Sequence, residues 1–225
     1  HPLKDDKILT DWNGLMMAAL AVAGKVFNQQ SYIDLAERCA DFILTELRKP
    51  NGELKKRYRK GQSGLKAVLD DYAFTIWGLI ELYQATFELK YIEAAVALSD
   101  YQVKQFWDDD GDGFYFSADD GEKLLARVKE YYDGAVPSGN SVSAYNFIRL
   151  GRLLSRTDYE EIAQKTINSH ADRINRIPSG FSLMMLALDF ALSSYEVLVF
   201  EGNDRNRKGE ILPQINRHYQ PNKVV

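Results

Sequence analysis

The chain has very little cysteine, which limits its covalent chemistry. Cys39 is the single cysteine among 225 residues, so no disulfide can form within the chain and there is no CxxC motif. This usage is typical of a reducing compartment. Cys39 falls on the apolar stripe of a predicted helix, where we expect a small core residue.

Long apolar runs and clustered positive charge are also missing. No stretch of roughly 18 residues is free of polar breaks, which argues against a transmembrane span. The sequence starts without an apolar signal-peptide segment, so we expect a cytoplasmic protein. The net charge is −4, and no basic patch is interleaved with aromatic residues, so nucleic acid is not an expected partner. The densest basic run, at 55–60, is interpreted as a solvated strand or loop.

What the sequence does contain is a repeat. Four segments begin with a short polar motif and continue as a strongly apolar helical run. The motifs lie at 11–14, 69–72, 137–141 and 178–182. An amphipathic helix is predicted after each of the first three apolar runs, at 32–48, 91–107 and 159–174. Such a repeat indicates stacked helical hairpins.

The two kinds of helix predict two layers. Helices without a polar face are expected to be buried on all sides, so the apolar helices form an inner ring and the amphipathic ones an outer ring. The expected fold class is mainly α: a partial α/α toroid of about three and a half hairpins. We assign it residues 1–194, with short β-hairpin turns near 51–58 and 113–117.

The end of the chain predicts a different local structure. Residues 195–225 are expected to form a truncated β-α-β piece, with a buried strand at 195–201, a helix at 206–218 and a second strand from 223. Because a closed toroid takes about six hairpins, we expect a fragment of a longer protein or completion by a second chain.

Several motifs resemble those of one known family. They lie at 5–16, 69–73, 113–116, 129–141, 178–181, 187–191 and 221–225. The chain resembles the YyaL-type proteins, related to the spermatogenesis-associated thioredoxin-domain protein. The resemblance implies a thioredoxin-like domain followed by a six-hairpin glycosidase-like barrel, of which the later part is present here. It therefore implies two partners, the missing barrel hairpins and the thioredoxin-like domain of the longer protein. A second copy of the chain is the alternative partner that the incomplete ring of hairpins leaves open.

The starts of the apolar helices form the predicted site. Parallel inner helices bring their N-termini to one rim, where unpaired amides and helix dipoles favour polyhydroxylated or anionic ligands. Carboxylates, amides and aromatic rings in these motifs suit a sugar ligand, and two carboxyl groups could serve a hydrolase-like reaction. The candidate catalytic residues are Asp70, Asp71, Glu130 and Asp133. The candidate substrate-binding residues are Asp11, Trp12, Asn13, Tyr72, Tyr131, Tyr132, Ser138 and Asn140.

Within this set, Asp71 and Asp133 are the preferred acid–base pair, and Trp12, Tyr72 and Tyr132 the stacking platform. Residues at helix starts can equally serve as N-caps, so a non-catalytic interaction scaffold stays open as the alternative. The three histidines lie outside the rim motifs, and His170 is interpreted as a surface or packing residue. That placement argues against histidine-based sugar epimerisation.

An acidic segment at 108–113 offers a metal-binding alternative. Asp108, Asp110 and Asp112 fit the first half of a calcium-binding loop. The twelfth position is Asp119 rather than the usual Glu, and a solvated acidic turn is the alternative. No other cofactor is expected.

Overall fold

A computed structural model describes residues 4–122, 125–198 and 222–224. The helices of these ranges alternate between two layers. The inner-layer helices are α1 (Thr10–Phe27), α3 (Leu69–Thr86), α5 (Gly139–Leu154) and α8 (Ser182–Leu192). The outer-layer helices are α2 (Gln30–Phe42), α4 (Leu89–Phe106) and α6 (Thr157–Asn168). A π-helical turn, Ile43–Leu47, extends α2, and α7 (Ala171–Arg176) with a 3-10 turn (Pro178–Gly180) leads into α8.

The contacts between helices confirm the predicted α/α arrangement. Inner helices pack on one another in the order α1, α3, α5 and α8, and each outer helix packs on the inner helix that precedes it. The four inner helices thus form an arc. One large buried cluster fills the space between the helices, and Tyr72, Tyr91, Phe106 and Phe147 are among its largest side chains. Within the described ranges, no helix combines the length and the apolarity that crossing a bilayer requires.

The prediction that every inner helix is buried on all sides is correct for the middle of the arc and wrong at its ends. On α1, Trp12, Met16 and Val26 are exposed, and on α8 Leu186 and Leu192 are exposed. An end helix has one inner neighbour instead of two, so one apolar face stays uncovered.

Short strands join the hairpins. The strands β1 (Ile8–Leu9), β2 (Lys55–Arg59) and β3 (Gln62–Lys66) form an antiparallel sheet in that order. The predicted strand character near 51–58 is therefore present. The segment 113–117 forms an isolated bridge, Trp107 with Phe114, rather than a hairpin.

The C-terminal piece agrees with the prediction in topology and differs in burial. Strand β4 (Glu196–Val197) pairs in parallel with β5 (Lys223–Val224), as a β-α-β unit requires. However, Glu196 and Val197 are exposed, so the expected burial of this strand is wrong for these residues. The predicted helix at 206–218 lies outside the described residues, and the division into two domains stays a prediction.

A buried ionic cluster links α1, α3 and α5 around Glu81, twelve residues after the start of α3. Glu81 accepts hydrogen bonds from Arg149 (2.7 Å), Lys25 (3.4 Å) and the indole of Trp77 (3.3 Å). Burial opposes ionisation, but the two cations prevail and lower the pKa of Glu81 to about 2. The carboxylate is therefore charged at neutral pH, and it links three inner helices.

Gly14 sets the distance between α1 and α3. A Cβ at this position would lie 2.7 Å from the carbonyl carbon of Phe74 and 2.7 Å from the amide nitrogen of Thr75. Both atoms belong to the backbone and cannot rotate away.

We therefore expect Gly14→Ala to destabilise the fold by about 2–3 kcal/mol, the usual cost of overpacking. Urea unfolding followed by circular dichroism measures this change. The matched control is Gly134→Ala, where an added Cβ finds its nearest neighbour at 3.6 Å. Equal stability of the two variants would contradict the close-packing interpretation.

Candidate functional site

The carboxyl group of Asp71 links three elements at the rim through hydrogen bonds. Its Oδ1 accepts the amide of Asp11 at 3.1 Å and the ammonium of Lys56 at 3.2 Å, and its Oδ2 accepts the amide of Val68 at 2.8 Å. The same ammonium lies 2.6 Å from Oδ2 of Asp11. Burial raises the pKa of Asp71 to about 7, against the opposing effect of Lys56. The cluster joins α1, β2 and α3, so Lys56 is not the solvated residue that its basic run indicated.

Asp70 lies beside this cluster, but its carboxyl group faces the start of α5 rather than α1 and β2. Its Oδ1 lies next to Gly139 at the start of α5, and an interaction with the backbone of Gly139 favours the ionised form of the carboxyl group. Burial raises the pKa of Asp70 to about 6; Lys56 works against this shift, while the carboxylates of Glu130 and Asp11 add to it. Asp70 is thus a partly buried carboxyl group that can hold or release a proton near neutral pH.

Asp133 connects the starts of α5 and α8. Its Oδ1 accepts the amide of Ser138 at 2.9 Å, and its Oδ2 accepts the amides of Leu183 and Met184 at 2.8 and 3.3 Å. Since both oxygens are bound to backbone amides, the carboxylate serves as a cap shared by two inner helices.

Three of the predicted ligand-binding residues are instead built into the fold. Asn140 is fully buried and exchanges two hydrogen bonds with the backbone of Phe114. Ser138 caps α5 by accepting the amide of Ser141. Tyr72 lies in the core, stacked on Tyr101, so its ring presents no face to the rim.

The remaining candidates divide into exposed and supporting groups. Trp12 and Tyr132 are 64% and 69% exposed, and Glu130 is also exposed. Asn13 donates to the carbonyl of Leu9 at 2.7 Å, which fixes the start of α1. The rim therefore brings exposed rings and an exposed carboxylate close to the buried carboxyl groups.

A cleft of about 400 Å³ opens beside this rim. Its walls come from the segment that precedes α5 and from the segment around α7. Its lining residues are Lys129, Glu130, Tyr131, Tyr132, His170, Arg173 and Phe181. The ring of Tyr132 packs edge-on against Phe181 with 6.4 Å between centroids, and the ring also lies against Gly180.

His170 is a functional candidate that the sequence analysis missed. Its imidazole stacks on Tyr131, with 3.3 Å between ring centroids, and its Nδ1 is 3.2 Å from Oγ of Ser169. Burial, together with Arg173 and Lys129, lowers the pKa of His170 below its usual value. The interpretation of His170 as a packing residue is therefore incomplete, because the fold brings it to a rim motif 39 positions earlier in the sequence.

The acidic loop at 108–113 is occupied by a lysine of the chain itself. The ammonium of Lys129 lies 2.7 Å from Oδ2 of Asp108 and donates to the carbonyl oxygens of Gly111 and Asp112. Among the described residues, no group of three or more His, Cys, Asp and Glu side chains is placed to hold a metal ion. Calcium binding by Asp108, Asp110 and Asp112 stays a prediction, and Lys129 would have to leave the loop first.

The fold is that of the α/α toroids of six-hairpin glycosidase-like type. The same fold occurs in a GH76 α-mannanase from Bacteroides thetaiotaomicron (TM-score 0.61, 18% identity, 76% of this chain and 46% of that one). It occurs also in cellobiose 2-epimerase from Bacillus thermoamylovorans (TM-score 0.61, 15% identity, 75% of this chain and 45% of that one). A third example is unsaturated glucuronyl hydrolase from Bacillus sp. GL1 (TM-score 0.60, 15% identity, 76% of this chain and 49% of that one).

Sequence comparison identifies the relatives more narrowly. The chain is 34% identical to spermatogenesis-associated protein 20 of Rattus norvegicus over 98% of its length, and 34% identical to the Homo sapiens protein over 100%. It spans 29% and 30% of the lengths of those proteins. No family model matches the chain. The resemblance to the spermatogenesis-associated protein family is thereby confirmed, and it extends over somewhat less than a third of the length of those relatives.

The raised pKa of Asp70 predicts a particular pH dependence of stability. Between the ordinary pKa of 3.8 and about 6, the folded chain binds the proton more tightly than the unfolded chain does. The contribution of Asp70 to stability therefore falls as pH rises through this window. Asp70→Asn keeps the acceptor oxygen and removes the charge, so we expect it to stabilise the chain by up to about 3 kcal/mol at pH 7.5.

At pH 3.5 the same substitution should leave stability unchanged. Urea unfolding at both pH values measures the difference, with the exposed Asp109→Asn as the control. A loss of stability at pH 7.5 would contradict the burial argument.

Whereas Asp70→Asn should stabilise the chain, Asp133→Asn should destabilise it. The new amide places an N–H₂ group against backbone N–H donors, so at least one charge-assisted bond is lost, at a cost of about 2–4 kcal/mol. Thermal unfolding measures this loss, and the exposed Asp172→Asn is the control. Unchanged stability would show that the shared cap is dispensable.

Proposed function

We propose that this chain is a carbohydrate-binding part of a sugar-processing α/α toroid, with the sugar seated over Tyr132. One observation carries the proposal: the cleft places an exposed tyrosine ring beside Glu130, and the charge of Glu130 reaches the partly buried Asp70. A flat ring can pack on the apolar face of a pyranose, and carboxylates accept hydrogen bonds from sugar hydroxyl groups.

For a hydrolase-like reaction, the proposed pair is Asp70 as the acid and Glu130 as the base. Glycoside hydrolysis needs one carboxyl group that is protonated at working pH and a second that is ionised. Asp70 can hold a proton near neutral pH because burial raises its pKa to about 6, whereas Glu130 is exposed. Asp71 and Asp133 are committed to backbone amides, so we assign them positioning roles within the proposed site.

A thermal-shift screen of the chain against mono- and oligosaccharides tests the proposal. At a ligand concentration of about 100 times Kd, stabilisation should reach about 2.7 kcal/mol. We expect Tyr132→Ala to abolish the shift. The control is Phe27→Ala, because Phe27 is 67% exposed, nearly as much as Tyr132, but lies at the far end of α1. Absence of any shift, or an equal effect of both variants, would refute the proposal.

A second candidate function is an interaction scaffold, and the open face of α1 favours it. Trp12, Met16, Ala19 and Val26 are exposed along one side of the helix, at the spacing of a helix–helix seam. We propose that the missing barrel hairpins of a longer protein cover this face, since the chain aligns with 46% of the mannanase structure. A thioredoxin-like domain or a second copy of the chain are the competing occupants.

Sedimentation of the chain, alone and with added hairpins of a relative, distinguishes these occupants. The proposal expects a monomer that binds the hairpins and loses them on Met16→Glu. A dimer that the same substitution dissociates would identify a second copy as the occupant instead.

A further inference from the structure

The cleft differs in charge from the rest of the chain. The chain carries a net charge of −4, but the cleft lining holds two permanent cations, Lys129 and Arg173, against a single carboxylate, that of Glu130. The cationic groups line the cleft together with the aromatic rings described above. A ligand for this cleft would therefore gain from carrying a negative charge of its own.

The two permanent cations are not equivalent. The ammonium of Lys129 is held by Asp108 and by two loop carbonyl oxygens, so its charge is largely balanced. Arg173 is exposed, and the structure gives its guanidinium no hydrogen bond or ion pair within the described residues. Arg173 is thus the cation that is available to a ligand.

The geometry of the available group favours a carboxylate. A guanidinium presents parallel N–H donors that match the two oxygens of a carboxylate. Tyr132 offers a ring face at the same cleft, and the imidazole of His170 can hydrogen-bond to a hydroxyl group. A pyranose with a carboxylate substituent would use all three contacts.

We propose that the cleft binds an acidic sugar, a hexuronic acid residue, whose carboxylate pairs with Arg173 while its ring packs on Tyr132. This inference rests on the proposed function, since it names the substrate class of that same site. It adds Arg173, which no rim motif contains, as the residue that determines specificity.

Titration calorimetry of the whole chain with a matched pair of ligands tests the inference. Methyl glucuronide and methyl glucoside differ by a carboxylate in place of a hydroxymethyl group. We expect the glucuronide to bind at least about tenfold more tightly, the effect of one charge-assisted pair. Arg173→Gln should reduce glucuronide affinity to that of the glucoside and leave the glucoside unaffected.

The control variant is Arg176→Gln, which removes another exposed arginine of α7 outside the cleft lining. Equal binding of both sugars, unaffected by Arg173→Gln, would overturn the acidic-sugar inference and leave the proposed function standing. Binding of neither sugar would overturn both. Tighter binding of glucose 6-phosphate than of the glucuronide would replace the carboxylate with a phosphate and so contradict the inference.

Discussion

The architecture depends on carboxylates that bind the backbone amides at the starts of the inner helices. Four unpaired N–H groups at each helix start must find partners, and in a toroid these groups meet at one rim. Asp71 accepts an amide from α1 while bracing the start of α3, and Asp133 accepts amides from two helix starts. The inner helices are therefore held in parallel by carboxyl oxygens that accept hydrogen bonds at their positive dipole ends.

This constraint divides the acidic residues of the rim into two groups. Asp71 and Asp133 use both of their oxygens within the protein, so they position the helices. Asp70 is partly buried with its pKa raised, and Glu130 is exposed beside it. Keeping an ionisable group in such surroundings costs stability, and stability is commonly given up where a protein needs a reactive or binding group.

The fold followed from the sequence because its signals are periodic. Four polar motifs, each before an apolar helix, are sufficient to predict layers, hairpins and the shared rim. The exposure of α1 could not be derived in this way, since an apolar helix at the end of an arc has the same sequence pattern as one in the middle.

Only some residues of the proposed site could be predicted from the sequence motifs. Of the proposed site, Asp70, Glu130 and Tyr132 lie in the motifs that the sequence singles out, whereas Lys56 lies in strand β2, His170 directly precedes α7 and Arg173 lies within α7, outside every rim motif. Tyr72 and Asn140 sit in motifs too, but side-chain direction turns them into the core. Tertiary packing decides which residue of a motif points outwards and which points into the core. The sequence pattern does not give this direction for each residue.

The most direct test of this account is a carboxyl ¹³C NMR titration of Asp70, assigned with Asp70→Asn, in the absence and presence of saturating methyl glucuronide. The account predicts a midpoint near 6 for the chain alone and a clear displacement of that midpoint by the sugar. A midpoint near the ordinary value of 3.8 under both conditions would contradict it, because Asp70 would then be an ordinary surface carboxylate rather than part of a binding site.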